Sequence, residues 1–320
     1  MELGRLQIKI VVTGAAGFIG SSLTKSLANR GHEVVAIDSF DSTLYSSELK
    51  HDRAQTVMEE LGLEVQNCDI ASEALAEHLA GADVIVNEAA VPGLGPSWRF
   101  PDQYFHSNSA GVANILEKIR GTRVHLVQAS TSSVYGIDAS GDESTPCLPA
   151  SPYGASKLAA EHLIRSHARE FDTKFTILRY YSVFGPKQRP DMAYAIFCAK
   201  MLAGEIIPIN GDGQQRRNNT FVNDIVQATV LAAEAAPVNQ TYNVCGDEET
   251  SVIQAVSVLA DELQVKAKLV HRPRVSGDQA RTKGVNRKIK QELGWSPNMT
   301  LEEGLRLQAR QAQKDFAVDG

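Results

Sequence analysis

Between Ile8 and Gly20 the chain reads IKIVVTGAAGFIG, and this stretch excludes most folds. Ile8, Ile10, Val11 and Val12 are β-branched and favour a buried strand. The strand breaks at glycine and resumes as a helix with Phe18, Ile19, Leu23 and Leu27 along one face. Strand, tight turn and helix together bring a helix N-terminus, with its unsatisfied N–H groups, up to a pyrophosphate. Gly14 permits the sharp turn, Gly17 lets the backbone approach the phosphates, and Gly20 lets the helix lie close to the sheet. A second strand, HEVVAID, ends on Asp38, 18 residues after Gly20, where an acid accepts hydrogen bonds from the adenosine ribose. A carboxylate there repels a 2′-phosphate, so the expected cofactor is NAD rather than NADP.

Strand candidates follow at 8–13, 33–38, 63–68, 82–87, 123–129 and 174–181, with helical stretches between them. That alternation predicts an α/β fold with a parallel sheet covered on both faces. After Gly185 it fades. Pro186, Pro190 and Pro208 and the turn-like GDGQQRR punctuate a region that continues with a helix near 223–235, a strand at TYNVCG and an amphipathic stretch near 301–315.

Composition removes other classes. With 320 residues, 43% of them hydrophobic, the chain can bury a sizeable core. A net charge of −6 without a basic run gives no electrostatic reason to expect nucleic acid. No apolar run reaches membrane length, and MELGRLQIKIVV lacks the apolar core and cleavage site of a signal peptide, so we expect a cytoplasmic protein without a membrane partner. Cys68, Cys147, Cys198 and Cys245 show no CxxC spacing and the histidines no HxxxH pair, so no metal is expected.

The chemistry is read from two later segments. In SPYGASKLAAEHLIRSHARE, Ser151 and Pro152 mark a helix start, and Tyr153 and Lys157 fall one turn apart on the same face. A tyrosine titrates near ~10, so it needs nearby positive charge to act as a base at neutral pH. Lys157, an oxidised nicotinamide and the helix N-terminus all supply it, and a lowered Tyr153 pKa is the expectation. In VHLVQASTSSVYG, a buried strand runs out into Ser130, Thr131, Ser132 and Ser133 at the carboxyl end of the sheet, where ligands bind.

The ordered set TGAAGFIG, Asp69 in NCDI, ASTSSVYG, SPYGASK and RYYSVFGPKQRPDMAY resembles the extended short-chain dehydrogenase/reductase family, the NAD-dependent sugar-nucleotide epimerases and dehydratases. The resemblance runs from about Ile8 to Leu305. It implies a Rossmann doubly wound parallel sheet with a smaller C-terminal substrate-binding lobe. Residues 1–184, with 220–246 interleaved, would bind NAD, and 185–219 with 247–320 would form the sugar-nucleotide lobe. By the same resemblance Gly14, Gly17, Phe18, Ile19, Gly20, Asp38, Asp69, Ile70, Ala89, Ala90, Asn108, Tyr153 and Lys157 contact the cofactor. Thr131, Tyr153 and Lys157 would be catalytic, with Thr131 bonding the reacting sugar oxygen and Ser132 and Ser133 lining the pocket. A homodimer through helices near 103–119 and 153–169 is implied by analogy.

Dehydratases of this family carry Asp-Glu at the positions of Ser132 and Ser133, and decarboxylases a glutamate at the second. Without those carboxylates, oxidation and re-reduction at one carbon remain, and C4 epimerisation of a UDP-sugar is the simplest outcome. The segment SVFGPKQRPDMAY resembles that of UDP-glucuronate 4-epimerases. Arg189 and Ser182 would then hold the uronate carboxylate, and Arg217, Asp278 and Arg281 the uridine or diphosphate. A UDP-hexose or UDP-N-acetylhexosamine is the alternative substrate, ahead of dehydration, decarboxylation or a non-catalytic NAD-binding module. The chain departs from the family pattern at Asn87 and Glu88, where relatives have histidine and leucine. It departs again at Gly95 for arginine, at Asn218-Asn219 for Asp-Phe, and in the spacing of Arg274 from Gly277-Asp278.

Overall fold

In the computed structural model, which describes residues 7–236, 239–273, 279 and 281–319, the predicted strands join one seven-stranded sheet. Numbered in chain order within that sheet, β1 is Lys9–Thr13, β2 Glu33–Asp38, β3 Val65–Asn67, β4 Val84–Asn87, β5 His125–Thr131, β6 Lys174–Tyr180 and β7 Gln240–Val244. Their spatial order is β7-β6-β5-β4-β1-β2-β3. Every neighbouring pair runs parallel. Strand order reverses between β1 and β4, and such a switch point leaves a crevice at the carboxyl ends of the strands.

Because side chains alternate across a strand, each strand feeds two cores. Ile10, Val12, Val84, Val86, Val127 and Leu178 face one core, which includes Leu23 and Leu27 of the helix Phe18–Asn29. Val11, Ile85, Leu126 and Ile177 face the other, with Ile115 and Leu116 of the helix Gly111–Ile119 and Ile164 of the helix Pro152–Phe171. A third core joins Phe184, Phe197, Met201, Phe221, Leu259 and Leu305, and Phe18 belongs to it. The first turn of the glycine-rich helix is therefore packed on the C-terminal part of the chain.

Two expected boundaries move. β5 runs on through Ser130 and Thr131, because these residues stay in register with Arg179 and Tyr180 of β6 before the turn Ser132–Tyr135. The helix expected near 103–119 is interrupted: Pro101–Phe105 and Gly111–Ile119 flank a π-helical turn, His106–Ala110. Such turns recur at functional sites, and this one presents Asn108. Among the described residues no helix is long and apolar enough to cross a membrane.

The glycine turn is tight in a specific sense. Gly14 adopts φ +66°, and a Cβ there would meet the Ala89 backbone nitrogen at 2.8 Å. A Cβ on Gly20 would stand 2.0 Å from the Gly14 carbonyl oxygen. Gly20→Ala must therefore part the helix from the turn, at a cost of about 2–4 kcal/mol. It should lower the melting temperature and abolish NAD retention, while Gly95→Ala, with no atom within 4 Å of the added methyl, should change neither.

Candidate active site

A cleft of about 1140 Å³, measured to its open mouth, lies over the carboxyl ends of the sheet. Its walls bring together Gly14, Gly17, Phe18, Ile19, Gly20, Asp38, Asp69, Ile70, Ala89, Ala90, Tyr153, Lys157 and Arg189 from the sequence-derived set. The residues fit a dinucleotide. Gly17 is the N-cap of the helix Phe18–Asn29 and has no side chain to occupy the first N–H groups. Asp38 is buried at the end of β2. Its carboxylate accepts from Ala16 N at 3.0 Å and Phe40 N at 2.8 Å, which joins the glycine turn to β2. Lys50 stands 3.7 Å from the same carboxylate.

The ends of the central strands are tied by side chains. Thr13 of β1 donates to Asn87 of β4 at 2.5 Å, and Asn87 donates to Gln128 of β5 at 2.8 Å. This bridge is the physical use of Asn87, one of the departures from the family pattern. Asn108 is fully buried, and its amide binds both backbone groups of Val91 and the Ser156 hydroxyl. With those bonds made, it fastens the loop after β4 to the tyrosine helix.

Ser151 caps that helix by accepting from Gly154 N at 3.1 Å, with Pro152 in the first turn. Gly154 is required because a Cβ there would lie 2.5 Å from the Ser133 carbonyl oxygen. The Tyr104 ring meets Tyr153 edge-on, with centroids 6.1 Å apart, and Tyr104 is itself anchored to the Pro92 carbonyl at 2.7 Å. The Thr131 hydroxyl donates to Ser133 Oγ at 3.2 Å and accepts from Ser133 N at 3.1 Å, and it lies close enough to the Tyr153 phenol to favour the phenolate. Tyr153, Lys157 and Thr131 thus form one cluster.

Electrostatics correct one expectation. Burial raises the Tyr153 pKa above its ordinary value, against the opposing pull of the Thr131 hydroxyl and the Arg189 charge, with Glu88 adding to the rise. Lys157 is buried and pushed down to about 8, while Glu88 and Glu161 act to hold its proton. In the protein alone, desolvation outweighs the positive surroundings that the sequence suggests.

Other residues land less simply. Ser132 and Ser133 are buried in the turn after β5. Ser182 is partly exposed with φ 27°, and its carbonyl accepts from Thr220 N. Arg189 gives Nε and Nη2 to Asp191 at 3.0 and 2.9 Å. Arg281 pairs in the same forked way with Glu249 at 2.7 and 2.8 Å and is about half exposed. Arg217 lies on the strand Arg216–Asn218, which runs beside Arg281. Asp278 lies outside the described residues.

Sequence reasoning missed Lys50, Tyr45 and Tyr180 as members of the cleft wall, and it marks Glu88 only as a departure from the family pattern. For Glu88 a signal existed: a carboxylate just past Asn87, at the carboxyl end of the buried strand VIVN.

The profile of the NAD dependent epimerase/dehydratase family matches residues 10–245. The chain belongs to this family. NAD is accordingly its cofactor. It is 36% identical to an uncharacterized UDP-glucose epimerase of Bacillus subtilis, YtcB, over 93% of this chain and 96% of that one. The solved UDP-glucuronic acid 4-epimerase of Bacillus cereus, in complex with UDP-glucuronic acid and NAD, superposes with a TM-score of 0.91 at 33% identity, covering 96% of this chain and 99% of that one. The UDP-glucose 4-epimerase of Thermotoga maritima with UDP-glucose superposes with a TM-score of 0.87 at 30% identity, covering 97% and 100%.

The Thr131 hydroxyl favours the Tyr153 phenolate, so removing it should raise the phenol's pKa. In ultraviolet difference titrations against Tyr153→Phe, Thr131→Val should move the Tyr153 transition to higher pH. An unmoved transition would show that the hydroxyl carries no weight.

Proposed function

We propose that this NAD-dependent UDP-sugar 4-epimerase interconverts UDP-glucuronate and UDP-galacturonate. When bound, NAD supplies reversible hydride acceptance at C4 of the sugar, so the sugar passes through a 4-ketone and no cosubstrate is consumed. Tyr153 as phenolate takes the C4 hydroxyl proton, with the neighbouring Thr131 hydroxyl as the relay, and returns that proton once the ketone has turned its other face. Lys157 holds positive charge next to the phenolate. Ser132 and Ser133 stand where elimination would need a carboxylic acid, which supports epimerisation over dehydration.

The observation that carries the uronate reading is Arg189 in the same cleft wall as Tyr153 and Lys157. Asp191 engages one side of its guanidinium through Nε and Nη2. Arginine has five N–H groups in a planar fork, so the end formed by Nη1 and the second Nη2 hydrogen can still hold another carboxylate in bidentate fashion. Ser182 is the expected second donor to that carboxylate. Such a grip matters chemically, because a ketone at C4 is β to the C6 carboxylate. A β-keto acid loses carbon dioxide when the breaking bond stands perpendicular to the carbonyl, and holding the carboxylate out of that alignment suppresses the loss.

A neutral UDP-hexose is the competing substrate, favoured by one observation: Asp191 already neutralises Arg189. Products from a UDP-sugar panel separate the two. UDP-glucuronate should give UDP-galacturonate without added NAD and with little carbon dioxide or pentose, and Arg189→Ala should cost the uronate at least tenfold in kcat/KM while NAD stays bound. Faster turnover of a neutral hexose, or dominant carbon dioxide release, would refute the uronate assignment.

A further inference from the structure

Glu88 follows β4 and joins the cleft wall with Tyr153, Lys157 and Tyr180. Its backbone abuts the glycine turn, where a Cβ on Gly14 would come within 2.9 Å of the Glu88 carbonyl carbon. Its Oε1 lies 2.7 Å from the Tyr180 hydroxyl, which lies 2.7 Å from Thr229 Oγ1. Thr229 in turn reaches the Ile225 carbonyl at 2.8 Å.

Counting hydrogens along this chain shows that it accepts two protonation states. Tyr180 and Thr229 have one hydroxyl hydrogen each. With Glu88 ionised, Tyr180 donates to the carboxylate and Thr229 must turn its hydrogen from Ile225 toward Tyr180. With Glu88 protonated, each group donates to the next, ending on the Ile225 carbonyl. The heavy atoms need not move. A proton can therefore come and go at Glu88 with its bond to Tyr180 kept in both states, at the cost of the Thr229–Ile225 link in the ionised one.

We propose that Glu88 is the titrating counter-charge of this cofactor site: as a carboxylate it holds Lys157 protonated and favours oxidised over reduced nicotinamide cofactor, and when protonated it does neither. The reduced cofactor carries one more negative charge than the oxidised one, because the pyridinium charge is gone. A fixed anion in the same low-dielectric cleft therefore disfavours the reduced form. Burial pushes the Glu88 carboxyl up to about 7, against the Tyr180 bond and the Lys157 charge, so the switch falls near neutral pH. The groups facing Glu88 are Lys157 and Tyr153 from the tyrosine helix, Tyr180 from β6 and, through Tyr180, the neutral Thr229 from the helix Val222–Glu234. Neighbouring Asn87 is uncharged and bonded to Thr13 and Gln128. For an enzyme that must give back every hydride, this bias keeps the cofactor from being stranded in its reduced form. The inference rests on NAD in the cleft and not on the identity of the sugar.

Glu88 is anionic above its pKa, so preference for NAD over NADH strengthens as pH rises through about 7. The full chain is equilibrated with equimolar NAD and NADH, without sugar, between pH of about 6 and 7.5, below the Lys157 transition, and the bound forms are quantified by chromatography. The wild-type bound NADH-to-NAD ratio should fall several-fold across this window. Glu88→Gln keeps the shape and a hydrogen bond to Tyr180; it should bind several-fold more NADH relative to NAD at the upper pH, with a shallower pH trend that comes from Lys157, whose transition moves down once the carboxylate is gone. Tyr180→Phe removes the donor to the carboxylate and should move the wild-type trend to higher pH. A Glu88→Gln protein with the wild-type ratio and trend would overturn the proposal, as would one that loses sugar turnover with the ratio unchanged. Should that variant fail to fold, a flat wild-type profile or an unshifted Tyr180→Phe profile would overturn it equally.

Discussion

Arg179 of β6 and Glu161 of the tyrosine helix form a buried pair, with bonds of 2.9 and 2.6 Å, on which the geometry of the reactive cluster depends. Ser130 of β5 donates to the same carboxylate at 2.6 Å. Arg179 donates onward to the Tyr135 hydroxyl, and Tyr135 to Asn243 of β7, both at 2.8 Å. One network thus joins three strands, the turn after β5 and the helix that carries Tyr153 and Lys157. Ionic pairs of this kind add little net stability over apolar packing, but loss of one partner costs about 3–5 kcal/mol because the other charge is left buried. Burial acts to raise the Glu161 carboxyl, and Arg179 and Ser130 hold it below its ordinary value, so the pair stays charged. Its value is orientation: Thr131 sits next to Ser130, and Lys157 lies one helical turn before Glu161.

Beyond that anchor the cleft is a problem in desolvation. Tyr153, Lys157 and Glu88 each move in the direction of their neutral form because burial penalises charge. Arg189, Thr131 and Glu161 oppose that tendency for one group or another. The result is a set of groups whose protonation depends on their neighbours, so adding or removing one charge in the cleft is felt by the rest. A site that must take and return both a proton and a hydride benefits from such balance.

How much of this was legible before the structure depends on how local each cause is. The turn at Gly14, the helix cap at Ser151 and the alignment of Tyr153 with Lys157 follow from neighbours a few residues away, and they were readable. The apolar strands were readable too, because a parallel sheet buries both faces and leaves unbroken runs such as VIV. Long-range partners were not. Glu88 meets Tyr180 across 92 residues, and Arg281 meets Glu249 across 32. An arginine in a sequence shows a charge without its partner: the sequence suggests Arg281 for the uridine or diphosphate, and its pairing with Glu249 is visible only in the structure. Asn108 was assigned to the cofactor on family pattern, and only the π-helical turn reveals its bonds to Val91 and Ser156.

Transfer through bound NAD requires that the sugar's own C4 hydrogen leave and return within one cleft. Following the conversion of a UDP-sugar in deuterated water by proton NMR tests that most directly. The 4-epimer should retain its original hydrogen at C4 and gain no deuterium at C4 or C5. Solvent deuterium at either carbon would mean that a proton and not a hydride is removed, and would contradict such transfer.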